Sequence, residues 1–257
     1  MASSKLRRGV TPRIQTCISA LDQADGKILG AQHESMPLSE YLWQNSLSLC
    51  NAALETQFLH GIRHGSLHPE RYGAYSVQDV AYCSNAVNDY DISIQNAKLP
   101  EVKEFLQKRR NGYQEYLDSS MKQWHIEDTK ALALNQAVEE YIKFERMVAK
   151  CYDPVNLVVA MIPCSRLWHW LANQMLAYEG ATNVYSFWIR ENRQGDGGKK
   201  LENFVNSYSS RLEEDIALKI YQAAIICEGN FMRSACNQVL EPLPEGLEEA
   251  LVKAQKK

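Results

Sequence analysis

Residues 153–180 constrain the fold more than any other stretch. Asp153-Pro154 opens it and Gly180 closes it, giving a capping aspartate, a proline at the first helical position and a terminal glycine. Between them runs Val155-Asn156-Leu157-Val158-Val159-Ala160-Met161-Ile162. A helix that is apolar on most of its circumference belongs in the middle of a domain. Pro163 lies inside this helix, where it removes one donor and clashes with the preceding turn, at roughly 3 kcal/mol. The next residue is Cys164. A penalty of that size beside a thiol has two readings. One is a buried structural cysteine at a packing kink. The other is a thiol with chemistry to perform.

The rest of the chain is built to surround such a helix. Its 257 residues suffice for one large domain or two small ones, and 13 Gly and 8 Pro leave long stretches free of either. That composition predicts a helical protein with short loops. A net charge of −3, with no long basic block, argues against nucleic acid as a partner. Uncharged apolar runs fall well short of the roughly 20 residues that span a membrane. Met1 to Pro12 is basic and polar and lacks an apolar core, which excludes an ordinary secretory signal. It is free of acid until Asp22, which leaves a transit segment as the alternative to a disordered cytosolic tail. The seven cysteines form no Cys-x-x-Cys pair and no zinc spacing. A reduced, cytoplasmic compartment is expected, with no structural metal and no cofactor.

Periodicity predicts a series of long helices. The first covers roughly 37–63, with a stripe at Leu47, Cys50, Leu54, Phe58 and Ile62, and stops at His64-Gly65-Ser66. The second runs from Pro69 to about Gln95. The third, about 100–123, is strongly charged and reads as a surface helix. A fourth spans about 128–151, followed by the central helix over 154–179. A short segment at Val184–Ile189 and a Gly-rich loop at 194–198 lead to a last helix near 199–240. The charged tail after Pro242 predicts one exposed helix. Short connections between long helices favour an antiparallel bundle, which builds its sites in the interior from facing helices.

Polar groups on four of these helices stand where apolar ones are expected. Tyr72, Tyr75, Asp79 and Tyr82 fall at spacings of three, four and three, so they share a face. Tyr141 shares a stripe with Leu134 and Val138. Cys164 and Trp168 are one turn apart. Glu228 follows Ala223-Ala224-Ile225-Ile226-Cys227, a run that reads as buried, so its carboxyl is expected to hold a proton near neutral pH. Each has a plainer reading: Tyr141 as a core phenol, Glu228 paired with Arg233, Asp79 on the surface. Together they supply a nucleophile, two carboxylates and an aromatic wall, a set suited to a planar nitrogen heterocycle.

Phe58-Leu59-His60-Gly61-Ile62-Arg63-His64-Gly65-Ser66-Leu67, Arg71-Tyr72-Gly73-Ala74-Tyr75 and Gln78-Asp79-Val80-Ala81-Tyr82 resemble segments of the TenA (thiaminase II) family. Ile162-Pro163-Cys164 is similar to its Leu-Pro-Cys motif. Tyr141 precedes the cysteine by 23 residues, the family spacing for a substrate-contacting tyrosine. Tyr185-Ser186-Phe187-Trp188-Ile189 and Glu228 with Phe231 complete the series, which runs from about residue 40 to 238. The resemblance implies a single all-α domain, a heme-oxygenase-like helical bundle over 37–240. A basic tail with a short helical lead-in over 1–36 precedes it, and a charged tail over 241–257 follows. It implies a homo-oligomer, tetramer or dimer, acting on a small molecule without a cofactor.

The implied chemistry is cleavage of thiamine or related aminopyrimidines at the exocyclic methylene. Carried over by motif, Cys164 adds to the ring, Glu228 protonates the adjacent ring nitrogen and Asp79 holds the amino group. Tyr82 and Tyr141 position the ring, with Tyr75, Phe58, Trp168 and Asn192 as further substrate contacts. Two positions depart from the pattern: Trp168 and Asn192 stand where the family has tyrosine. Water is the family's usual acceptor. A thiaminase I-type transfer to an amine or thiol is the alternative, as is a pyrimidine- or thiamine-binding protein without turnover. An oxygenase of the same superfamily is a further class, with His60 and His64 as candidate ligands but no Glu-x-x-His pair.

Overall fold

A computed structural model describes residues 36–256, so the expected N-terminal tail over 1–36 lies outside the described residues except for its last position. Among the described residues there are helices and turns and no strand. The α-helices are α1 (Leu38–Gln44), α2 (Leu47–Leu54), α3 (Gln57–His64), α4 (Pro69–Asn96), α5 (Pro100–Gln123), α6 (Gln136–Ala149), α7 (Val155–Gln174), α8 (Ser186–Asn192), α9 (Lys199–Ser207), α10 (Glu214–Ala235) and α11 (Leu247–Gln255).

The two longest helices start where proline dictates. Pro69 and Pro100 occupy first-turn positions of α4 and α5, where a missing N–H removes no helical bond. The His68 side chain accepts from the Glu70 N–H at 3.3 Å. After the short link at 97–99, α5 folds back along α4, and α6 covers α4 from another side. The middle of the bundle is α7 against α10, with α2, α3 and α6 also packed on α10. Every residue of α7 from Val155 through Pro163 is buried, as the apolar run demands. The helix continues through Pro163 and ends at Gln174, where Met175 caps it and a 3-10 turn at Leu176–Tyr178 begins, short of the expected Gly180.

Three expected boundaries are corrected. The helix expected over 37–63 is three helices. Thr56 takes extended backbone and its side chain accepts from the Leu59 N–H, which starts a new helix at Gln57. The apolar stripe persists across the breaks because all three pieces face one core. The helix expected near 199–240 is α9 and α10, separated by a 3-10 turn at Ser209–Arg211 and an extended Leu212. The fourth starts at Gln136, later than expected, where the Asn135 side chain accepts from the Val138 N–H at 3.0 Å. The tail after Pro242 does form a helix, α11, but buries Leu247, Leu251 and Ala254 against α10.

Arg166 points away from the middle of the bundle and ties it to the periphery. It pairs with Glu40 of α1 at 2.8 Å and with the buried Glu202 of α9, and its guanidinium lies over the Trp43 ring. Gly61 is fixed by space. A Cβ there would meet Leu67 Cβ at 2.8 Å and Leu67 Cα at 2.9 Å. Gly61→Ala is therefore expected to lower stability by about 1–3 kcal/mol despite its better helix propensity, read as a fall in the denaturation midpoint.

Candidate active site

One cavity of about 730 Å³ opens between α4, α5, α6, α7, α8 and α10. That volume falls within the range of sites for drug-sized organic ligands, roughly 300–1,000 Å³. The face predicted on α4 lines it in full: Tyr72, Tyr75, Asp79 and Tyr82. Tyr141 enters from α6, Cys164 and Trp168 from α7, and Glu228 and Phe231 from α10. Cys164 follows the fully buried stretch of α7 and is itself only half-buried, its sulfur presented to the cavity. The proline that costs α7 a donor thus stands where the central helix passes from core to cavity wall.

Glu228 is held from two sides. Tyr141 Oη donates to Oε1 at 2.9 Å, and Trp168 Nε1 donates to Oε2 at 2.8 Å. Burial pushes its carboxyl up to about 7, against the lowering pull of those two bonds. It does not pair with Arg233, whose cation lies 3.4 Å from Glu241. Asp79 is likewise raised by burial, to about 6, while accepting from Tyr116 Oη at 2.8 Å and from Cys83 Sγ at 3.9 Å. The Cys164 thiol is pushed up by burial and then by Glu228, so at rest it keeps its proton. Its Sγ lies 3.2 Å from Tyr113 Oη, a hydrogen bond that either atom can donate.

Of the other residues expected at the site, Asn192 lies on the cavity rim and its side chain donates to the Trp188 carbonyl at 2.9 Å. Phe58 is fully buried behind the wall, with its ring 4.7 Å from that of Tyr75, and is not among the lining residues. Tyr75 spans the gap, packed also on Phe231 at 4.9 Å and Trp168 at 6.0 Å. His60 and His64 pack against each other, tilted by 55° with centroids 4.5 Å apart, and are not among the residues lining this cavity. Among the described residues, no cluster of three or more His, Cys, Asp or Glu is placed to hold a metal ion. No helix among the described residues is long and apolar enough to cross a membrane.

Two contributions escape the sequence reading. The first is α5, expected as a surface helix because of its charge. Its Val102, Leu106 and Leu117 are buried, and Arg109, Tyr113, Tyr116, Ser120 and Gln123 line the cavity. Their spacing of four, three, four and three was the available signal. The second is Glu145, one turn beyond Tyr141 and fully buried. Tyr82 Oη donates to its Oε1 at 2.7 Å and lies 3.5 Å from Tyr141 Oη, while Oε2 has no partner. Burial holds this carboxyl well above the ordinary range. The two phenols thus stand side by side between Glu145 and Glu228.

No protein-family model and no curated protein matches the sequence. Solved structures do. A TenA homologue from Pyrococcus furiosus superposes with a TM-score of 0.67 at 15% identity, covering 77% of this chain and 99% of that one. One from P. horikoshii gives 0.68 at 17% identity, covering 79% and 99%. A protein designated a TenA-like thiaminase, from Sulfolobus solfataricus, gives 0.58 at 18%, covering 77% and 96%. At such identities the likeness is one of backbone architecture. The chain therefore has the all-α, heme-oxygenase-like fold shared by the TenA homologues.

Proposed function

We propose that this chain belongs to the TenA family and cleaves thiamine or a related aminopyrimidine at the exocyclic methylene, with water as acceptor. The observation that carries the reading is convergence: a thiol from α7, an acid from α4 and an acid from α10 line one cavity walled by aromatic rings. Asp79 holds the ring's amino group and neighbouring nitrogen. Cys164 sulfur bonds to the ring carbon beside the one bearing the methylene, while Glu228 gives its proton to the adjacent ring nitrogen. The thiol proton returns to Glu228, so the net step adds S–H across a C=N bond. The electrons on the ring nitrogen then expel the leaving group. Water gives its hydroxyl to the methylene carbon and its proton to the ring nitrogen, and the sulfur then departs with the electrons of its bond to carbon as that nitrogen gives up its proton and the thiol regains one. Covalent addition replaces one difficult substitution with two easier steps. A Glu228 carboxyl raised to about 7 by burial supports its part as donor near neutral pH.

A specific observation favours a second reading, transfer to an organic nucleophile. Trp168 stands where the family has tyrosine, and its Nε1 is occupied by Glu228. Its ring packs 5.4 Å from Trp188, which leaves an indole surface where a water-activating phenol is expected. Thiamine turnover by the purified protein, with and without added pyridine, separates the readings. The expected result is turnover at an unchanged rate when pyridine is omitted. Dependence on pyridine would establish the transferase, and tight binding without product would establish a carrier.

A further inference from the structure

The groups around the Cys164 sulfur form an unbalanced set. From α4 come Asp79, Tyr82 and Cys83, from α6 Tyr141 and Glu145, and from α10 Glu228. All are acids or neutral donors committed elsewhere. Tyr141 donates to Glu228, Tyr82 to Glu145 and Cys83 to Asp79. None of them offers a positive charge, and each carboxyl that ionises disfavours a thiolate. Only α5 differs. Tyr113 is at hydrogen-bond distance from the sulfur. One turn earlier, Arg109 is the sole Lys, Arg or His lining the cavity among the described residues. Its guanidinium stands beside the phenols of Tyr90 and Tyr113, whose ring centroids are 5.4 Å apart, and its Nε is buried without a hydrogen-bond partner.

We propose that Tyr113 is a catalytic group that stabilises the Cys164 thiolate by donating its hydroxyl hydrogen to the sulfur, and that Arg109 is the positioning residue that makes this polarity favourable. With the thiol protonated, the shared hydrogen bond can run either way, or Tyr113 can turn to Met161 Sδ at 3.6 Å. With the thiolate, only Tyr113 can donate. A hydrogen bond to a charged acceptor is stronger than one to a neutral acceptor. The adjacent guanidinium favours the negative charge shared by sulfur and phenol. No electron or group is transferred in this step. The sulfur loses its proton to Glu228 during the addition, or to solvent when no substrate is present, and the Tyr113 proton stays on oxygen.

This inference rests on the reading of Cys164 as nucleophile, but its test does not need substrate. Iodoacetamide alkylation of Cys164 is followed by peptide mass between pH 6 and 10, in wild type and in Tyr113→Phe, Arg109→Met and Arg109→Lys. Phenylalanine keeps the ring and removes only the hydroxyl, and thermal melting confirms that each variant is folded. Tyr113→Phe is expected to slow alkylation about tenfold or more at pH 8 and to move the profile to higher pH. Arg109→Met shifts it in the same direction, and Arg109→Lys restores most of the wild-type profile. A wild-type rate and profile in Tyr113→Phe overturns the proposal. So does faster alkylation, the result expected if the phenol merely shields the sulfur. Full thiamine turnover by Cys164→Ser would instead remove the nucleophile, whatever the alkylation data show.

Discussion

Cys164→Ser is expected to hold thiamine turnover at or below about one-thousandth of the wild-type rate. The substitution exchanges sulfur for a smaller oxygen on a helix whose register is fixed by nine buried residues before it, so the fold is expected to persist. A serine hydroxyl is a far weaker nucleophile than a thiol, because it gives up its proton far less readily. Mass spectrometry of the wild-type protein during turnover should show Cys164 carrying the pyrimidine, and the serine variant should carry nothing. Turnover by the variant at the wild-type rate would rule out a covalent route.

Glu228→Gln carries the second large effect, an expected loss of about 10²- to 10⁴-fold in turnover. An amide keeps the size of the side chain but cannot deliver a proton to a ring nitrogen. The pH dependence follows from burial. The acid form is the donor, and it is lost as pH rises through about 7, so wild-type activity should fall above that point through this group. The variant's residual activity should lack that limb. Stability also falls as pH rises. The folded state holds the Glu228 proton up to about 7, whereas the unfolded chain releases it near 4.5. Ionisation therefore weakens the fold progressively as pH climbs from about 4.5 to above 7. Glutamine escapes this effect. Between pH 4.5 and pH 8 the stability difference should shift in favour of Glu228→Gln by roughly 3 kcal/mol, measured by urea denaturation. A difference that stays constant with pH would mean that the carboxyl titrates alike in the folded and unfolded chain.

The legible parts of this fold are those marked by irreversible backbone chemistry. Proline at the start of α4 and α5 allowed both helices to be read nearly to the residue. The apolar run of α7 announced its central place. The breaks at 45–46, 55–56 and 208–213 were not legible, because a stripe that faces one core continues through a bend without changing period. Thr56 was the one local signal, and a single threonine inside an apolar pattern does not outweigh the pattern. The cavity wall was legible where polar residues interrupt buried runs, as with Asp79, Tyr82, Tyr141, Cys164 and Glu228, all of which line it. It was obscured on α5, where many lysines and glutamates on the outer face concealed the stripe from Arg109 to Gln123. Phe58 shows the reverse failure. A motif carried it into the expected site, but α3 lies behind α4, so its ring supports Tyr75 and stops there.

The walls differ in how easily they can change. α4, α5, α7 and α10 are long and interlocked, and alterations there disturb the whole bundle. The seven-residue α8 is anchored through Ser186, Trp188 and Ile189, yet it also brings Phe187, Glu191 and Asn192 to the rim. Those three side chains can be exchanged with little disturbance to the interior. Selectivity at the cavity mouth can thus drift through a few exchanges on this short segment while the long helices behind it keep their arrangement.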